Sequence, residues 1–265
     1  MADHEIDFPG GNHSVLLIHG LTGSPFEMKY LARQLNKAGF GVKGPYLKGH
    51  GATLKELSRT NWADWYQSAR EHFHMMKNSS DTVSVVGLCM GALLALHLAK
   101  EFGSEVNAVS LISTTLFYDG WSLPWYKFLL PIAYYTPVRY VYSYSEAEPY
   151  GIKNKALREH IVNLIKKDSI AYAKTPATSM HELYKLIRKV KRELSVVTTP
   201  ALILHSREDD LTSPKNADYV EEKIGSTVVR KVILDDTYHM MTIDNQKDRV
   251  AEETIRFFRE QISSS

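Results

Sequence analysis

A strand-like run that stops at two closely spaced glycines and continues as a helix most constrains how this chain can fold. Residues 83–88 are apolar and rich in β-branched side chains, and an alanine- and leucine-rich segment begins at Met90. Between them, Gly87-Leu88-Cys89-Met90-Gly91 predicts a tight strand–turn–helix corner, because glycine lets backbone pass close to backbone. Cys89 then stands at the corner beneath the N–H groups and partial positive charge of a helix N-terminus, which favour a thiolate.

This corner has the form of a nucleophile elbow, which usually reads Gly-x-Ser-x-Gly at the top of an α/β sheet. A nucleophile needs a histidine base and the base needs a carboxylate, in the chain order nucleophile, acid, histidine. Asp209 follows a predicted strand in a polar loop and is the expected acid, with its neighbour Asp210 as the alternative. His239 follows the next predicted strand, at its C-terminal end, and is the expected general base.

Strands and helices alternate along most of the chain. Short apolar runs predict strands at 13–19, 40–42, 83–88, 106–112, 201–205 and 228–234. The segments between them have helical spacing, among them 25–38, 62–76, 215–223 and 246–262. We therefore expect an α/β fold with a mostly parallel central sheet and helices on both faces. The alternation breaks where the chain becomes rich in aromatic residues and proline. We therefore expect a core of residues 1–115 and 196–265, and an inserted helical cap of residues 116–195.

Composition narrows the classes of function. The chain has 32 Lys+Arg against 30 Asp+Glu, a net charge of +2 that is far from the balance of a nucleic-acid-binding protein. Its single cysteine excludes an intrachain disulfide, and no signal peptide or transmembrane segment is visible, which indicates a cytoplasmic protein. His72 and His74 are two apart on a predicted helix and point to different faces, so we expect no metal. No cofactor is expected either.

The motifs taken together resemble those of the small bacterial carboxylesterases and monoacylglycerol lipases of the α/β-hydrolase superfamily. The residues that carry this resemblance over nearly the whole chain are His19-Gly20-Leu21-Thr22-Gly23, Gly49-His50-Gly51, Gly87-Leu88-Cys89-Met90-Gly91, Asp209 and His239. The resemblance implies an α/β-hydrolase fold and an acyl-ester hydrolase with a helical cap over an acyl pocket. The departure is Cys89, where this family has serine.

Two further groups of site residues are expected. The oxyanion hole of this fold takes one backbone N–H from the residue after the nucleophile and one from a loop after an earlier strand, here Met90 and Leu21. Aromatic side chains of the inserted segment are expected to bind the substrate's acyl group: Trp121, Trp125, Tyr126 and Phe128.

The sulfur leaves three interpretations open. The first is a hydrolase of small-molecule acyl esters or thioesters, with a Cys-His-Asp triad and an acyl-Cys intermediate. The second is an acyltransferase that passes the acyl group to an amine or alcohol. The third is a non-catalytic ligand-binding hydrolase fold, or an engineered Ser-to-Cys variant of a serine esterase. A basic run at 185–192 would suit an acyl carrier protein or coenzyme A as partner.

Overall fold

A seven-stranded sheet forms the centre of the protein. The computed structural model describes residues 5–123, 136–140, 142–145, 148–165 and 171–263. The sheet strands are β1 (Ile6–Phe8), β2 (His13–Ile18), β3 (Gly41–Gly44), β4 (Thr82–Leu88), β5 (Val106–Ile112), β8 (Ala201–Ser206) and β9 (Val229–Leu234), while β6 (Ser143–Ser145) and β7 (Lys174–Pro176) pair separately. Their order is β1-β3-β2-β4-β5-β8-β9, and only β1 runs antiparallel to its neighbour. The predicted mostly parallel α/β sheet is thereby confirmed.

Helices cover both faces of the sheet. They are α1 (Lys29–Lys37), α2 (Leu54–Leu57), α3 (Trp62–Lys77), α4 (Met90–Phe102), α5 (Lys155–Ile165), α6 (Ala177–Glu193), α7 (Lys215–Lys223) and α8 (Lys247–Ser263). Side chains alternate across each strand, so Leu16 packs on the face covered by α3, α4 and α6, whereas Val15 packs on the face covered by α1 and α8. Burial on both faces explains why the central strands are mostly apolar, with few polar residues such as Ser84 and Ser110.

Two local features differ from the pattern expected from the sequence. β1 was not predicted, because it has only three residues, of which only Ile6 is buried, too few to show a period. The helix expected from Pro25 onwards begins as a 3-10 turn over Pro25–Met28, and the Ser24 hydroxyl caps it by accepting the N–H of Phe26 at 3.3 Å. The α-helix itself starts one turn later than the hydrophobic spacing indicated.

The segment between β5 and β8 leaves the sheet and returns to the adjacent position. These two strands pair directly, with Val109 opposite Ala201. Helix α6 of this segment packs on α3 and α4, and its apolar side is part of the larger core. Tyr172 donates its backbone N–H to the carbonyl of Thr22 at 2.9 Å and its hydroxyl to the carbonyl of Gly49 at 3.0 Å. The inserted segment therefore contacts the loops that follow β2 and β3, and the division into core and cap stays a prediction.

Candidate active site

Cys89 occupies a strained corner between β4 and α4. Its backbone has φ 57° and ψ −113°, a conformation that residues with a side chain rarely adopt. The flanking glycines make this corner possible. A Cβ on Gly87 would lie 2.2 Å from the carbonyl oxygen of Gly91, and a Cβ on Gly91 would lie 2.1 Å from that of Ile18. Both positions therefore require glycine, and the half-buried Cys89 side chain is held where the strand ends.

The sulfur of Cys89 lies beside a buried hydroxyl that the sequence did not single out. Sγ is 3.2 Å from Oγ1 of Thr115, which follows β5. The N–H of Cys89 donates to the carbonyl of Ile112 at 2.9 Å, so main-chain pairing between β4 and β5 continues to the corner itself. Met90 is the first residue of α4, and its N–H has no acceptor within the helix. The polar run Ser113-Thr114-Thr115 was the only sequence signal for the contact to sulfur.

Asp209 and His239 are brought together at the ends of β8 and β9. Nδ1 of His239 lies 2.8 Å from Oδ2 of Asp209, and Asp209 is fully covered by protein. The carboxylate also accepts three bonds from the loop, from the N–H groups of Leu211 at 2.9 Å and Thr212 at 2.8 Å and from the Thr212 hydroxyl at 3.0 Å. These donors fix the orientation of the carboxylate, and the carboxylate in turn holds the imidazole with Nε2 directed away from it.

The charges of this pair reinforce each other. Burial alone would lower the pKa of the His239 imidazole, but the charge of Asp209 and the interaction with Cys89 hold that pKa well above its ordinary value. Burial would raise the pKa of Asp209, yet the charge of His239 and the hydrogen bond from it lower that pKa instead. Nε2 of His239 is buried, and the sulfur of Cys89 interacts electrostatically with the imidazole. A proton acceptor thus stands beside the thiol.

Asp210 has a different environment from Asp209. Its carboxylate accepts the backbone N–H of Gly151 at 3.2 Å and that of His239 at 3.4 Å, and no bond joins it to the imidazole ring. Burial raises the pKa of this carboxyl group, in spite of the nearby His239. Asp210 therefore supports the backbone around His239, whereas Asp209 contacts the ring.

The loop after β2 brings Leu21 to the same end of the sheet. A methyl group on Gly20 would lie 3.7 Å from Cβ of Cys89, which shows how closely the loop approaches the corner. Its backbone is fixed from two sides: Glu27 accepts the N–H of Gly20 at 3.1 Å, and Nε2 of His50 donates to the carbonyl of Leu21 at 2.6 Å. In the sequence, His50 was noted only as part of the motif Gly49-His50-Gly51. The structure shows that its ring holds the loop after β2.

Of the four aromatic residues expected to bind substrate, Trp121 is described. Its side chain is 61% exposed, its Nε1–H donates to the carbonyl of Glu208 at 3.2 Å, and its ring meets that of Tyr238 edge-on, with centroids 5.5 Å apart. It therefore lies over the residues that precede Asp209 and His239. Trp125, Tyr126 and Phe128 fall outside the described residues.

Comparison with known proteins adds the family. The chain matches the family described as serine aminopeptidase, S33, over residues 11–246. The protein belongs to this family. This S33 family member is similar to the thermostable monoacylglycerol lipase of Bacillus sp. (strain H-257). The two are 33% identical over 255 residues, which cover 94% of this chain and 91% of that protein. The carboxylesterase of Bacillus subtilis (strain 168) is 22% identical over 251 residues, 94% of each chain.

Solved structures show the same fold as this S33 family member. One, from work on LipS and LipT, two metagenome-derived lipolytic enzymes, superposes with a TM-score of 0.84 at 27% identity and covers 97% of both chains. The monoacylglycerol lipase of Paleococcus ferrophilus superposes with a TM-score of 0.80 at 16% identity, over 98% of this chain and 100% of that one. The expected α/β-hydrolase fold and the resemblance to carboxylesterases and monoacylglycerol lipases are confirmed. The predicted class of enzyme, a carboxylic ester hydrolase, is confirmed as well.

The described parts of the chain lack two other features, a metal-binding cluster and a membrane-spanning helix. Among those residues, no three or more His, Cys, Asp or Glu side chains are grouped so that they could hold a metal ion. In the same parts of this S33 family member, no helix combines the length and the apolar character needed to span a bilayer. The cytoplasmic location stays a prediction.

Proposed function

We propose that this protein hydrolyses small acyl esters or thioesters through a covalent acyl-Cys89 intermediate, with His239 as general base and acid and Asp209 as its orienting carboxylate. One observation carries the proposal. Asp209 lies 2.8 Å from Nδ1 of His239, the opposite ring nitrogen is buried, and Cys89, at the N-terminus of a helix, interacts electrostatically with this imidazole. A binding protein has no need for this arrangement, since it serves proton transfer to and from sulfur.

The steps follow from these groups. The thiol proton passes to Nε2 of His239, and Sγ attacks the carbonyl carbon of the substrate. The resulting oxyanion is proposed to accept hydrogen bonds from the N–H groups of Leu21 and Met90. The bond to the leaving group then breaks, the imidazolium gives its proton to the departing alcohol or thiol, and a thioester to Cys89 remains. Water, losing a proton to His239, attacks this thioester and releases the acid and the thiol.

The sulfur restricts the leaving group. A tetrahedral intermediate on sulfur expels thiolate more readily than alkoxide, so a plain alkyl ester tends to return to reactants. Thioesters, lactones and activated esters avoid this difficulty because their own leaving groups depart easily. We therefore assign these as the preferred substrates. Trp121, Trp125, Tyr126 and Phe128 are proposed to bind the acyl group, and the exposed indole of Trp121 beside the two loops supports this for one of them.

An anionic carrier of the acyl group is a further part of this proposal. Lys185, Arg188, Lys189 and Arg192 lie on α6 and line a surface groove together with Glu193. Lys185 and Lys189 pair with Glu182 and Glu193 at 2.6 and 2.8 Å, and the face keeps a net positive charge. Such a charge attracts phosphate or carboxylate groups over about 10 Å at moderate salt. An acyl carrier protein or coenzyme A has the matching charge.

Intact-mass spectrometry tests the intermediate directly. After mixing with an aryl ester, an acyl-coenzyme A and the thioester of a small uncharged thiol, the wild-type mass should rise by one acyl group and then return to its starting value. Cys89→Ala should show neither the adduct nor turnover, because the attacking atom is gone. Turnover retained in a folded Cys89→Ala protein would overturn the assignment. Clearance that requires an added amine or alcohol would favour the acyltransferase interpretation.

Cys89→Ser separates sulfur chemistry from the rest of the site. The serine variant should gain activity on simple alkyl esters relative to thioesters, because its alkoxide no longer leaves in preference to that of the substrate. Equal selectivity in the two proteins would contradict the leaving-group argument. A serine variant that is far better on every substrate would favour a serine esterase in which cysteine is a handicap.

A further inference from the structure

The contact between Cys89 and Thr115 has two possible hydrogen-bond arrangements. Oγ1 of Thr115 lies 3.2 Å from Sγ of Cys89 and also 3.2 Å from the carbonyl oxygen of Ser113. Thr115 is completely buried. A hydroxyl has one hydrogen and two lone pairs, so it can donate to only one of these two neighbours at a time.

The ionisation of sulfur decides between the arrangements. As a thiol, Cys89 can donate S–H to Oγ1, while the Thr115 hydroxyl donates to Ser113. A thiolate has no hydrogen to give, and two lone pairs facing each other would repel. The contact stays favourable only if the Thr115 hydroxyl turns and donates to sulfur, which forms a charge-assisted bond in place of a neutral one. Since Thr115 is buried, its hydroxyl has no bulk water as an alternative partner.

We propose that the Thr115 hydroxyl is a second stabilising donor to the Cys89 thiolate, exchanging its bond to the Ser113 carbonyl for one to sulfur when the nucleophile is charged. This inference rests on the proposed role of Cys89 as nucleophile and adds a residue that none of the sequence motifs contains. The same segment also holds the base, because Oγ of Ser113 donates to the carbonyl of His239 at 2.7 Å. One short turn after β5 thus contacts both reacting partners.

The other ionisable groups around Cys89 are shared by all variants of Thr115. His239 faces the sulfur from the loop after β9 and is backed by Asp209. Glu27 contacts the backbone of Gly20, which approaches Cys89, and His19 precedes that glycine. A change at Thr115 leaves these groups in place, so an altered pH response of the thiol reports the hydroxyl.

Alkylation of Cys89 by iodoacetamide is a suitable measurement, because this is the only cysteine in the sequence. The rate of alkylation, followed by intact mass against pH, has a midpoint that reports thiolate formation. Thr115→Val keeps the shape and removes the hydroxyl. We expect it to move this midpoint upwards by about one pH unit, since a hydrogen bond to a charged group is lost. Thr115→Ser keeps the hydroxyl and should restore the wild-type midpoint.

Thr114→Val is the matched control. Thr114 is the neighbouring residue, is equally buried, and its Oγ1 has no hydrogen-bond partner among the described residues. The midpoint of Cys89 alkylation in Thr114→Val should equal that of the wild type. An unchanged midpoint in Thr115→Val, or equal shifts in both valine variants, would overturn the proposal. Thr115→Ala provides the same test if the valine variant does not fold. Alkylation needs no turnover, so failure of this proposal is distinct from failure of the proposed function, which would show as turnover retained in Cys89→Ala.

Discussion

Asp209 and Asp210 are adjacent carboxylates that the fold turns towards different partners. Asp209 accepts from the ring of His239, whereas Asp210 accepts backbone N–H groups of Gly151 and His239. Sequence spacing alone favoured Asp209 without excluding Asp210. The three donors from Leu211 and Thr212 that aim Asp209 at the ring arise from the conformation of a loop, which the residue pattern does not display.

Exchanging each aspartate for asparagine tests the difference. Asp209→Asn should lower kcat on an aryl ester by a factor on the order of 10³ or more, because the amide can present a donor to Nδ1 and stabilise the wrong tautomer. Asp210→Asn should lower it far less, since its amide oxygen can still accept a backbone N–H. Steady-state kinetics on the two folded variants give the comparison. A larger loss in Asp210→Asn would mean that Asp210 is the orienting acid.

Thr115 and His50 show what could not be predicted at the scale of single residues. A threonine after a strand is common, and only the pairing of β4 with β5 brings Oγ1 of Thr115 to the sulfur. His50 lies 29 residues from Leu21 in sequence, yet its ring donates to the Leu21 carbonyl. Both contacts depend on how separate elements pack, and hydrophobic spacing within one element carries no information about that.

The elbow is the element whose geometry the sequence specified best. Gly87 and Gly91 were expected to permit close backbone approach, and the structure has main-chain atoms where their Cβ atoms would be. The bounds of β5 and α7 also match the expected ranges, because each is a short periodic run between clear breaks. β1 was not predicted, because pairing with β3 holds it in place and its three residues show no clear alternation of apolar and polar side chains.

Gly91→Ala tests the close approach of α4 to β2. The added Cβ would lie 2.1 Å from the carbonyl oxygen of Ile18, and no side-chain rotation can relieve a clash with backbone. We expect a loss of about 3 kcal/mol in the free energy of unfolding, or failure to fold. Gly103→Ala is the control: φ is +53° there, but no atom lies within 4 Å, so strain of about 1 kcal/mol is expected. Equal losses in urea denaturation would refute the steric explanation.

At the scale of the whole molecule, buried histidines link stability to pH. Burial lowers the pKa of His13 to about 4, that of His50 to about 4, and that of His19 to about 3 with a further contribution from His50. The unfolded chain binds protons at these positions near pH 6.5, and the folded chain does so only at lower pH. Stability is therefore complete above about pH 6.5 and is lost as the pH falls towards these folded values.

His13→Gln measures one of these contributions away from the active site. His13 lies at the start of β2, where its ring contacts the hydroxyls of Thr82 and Ser84 at 2.5 and 3.1 Å. Removing it should reduce the slope of unfolding free energy against pH by up to about 1.4 kcal/mol per pH unit between pH 4 and 6.5. Urea denaturation across this range measures the slope. His160→Gln, at an exposed position of α5, should leave it unchanged, and equal slopes in all three proteins would contradict the linkage.

The pairing of β5 with β8 makes the sheet independent of the segment inserted between these two strands. The chain departs after one strand and resumes on its hydrogen-bonded neighbour, about 5 Å away, with some 90 residues of sequence between. Any excursion whose ends meet across that gap leaves strand register untouched, whatever its own length. If the inserted segment binds the acyl group as proposed, its sequence can change while the strand ends that carry Cys89, Asp209 and His239 keep their positions.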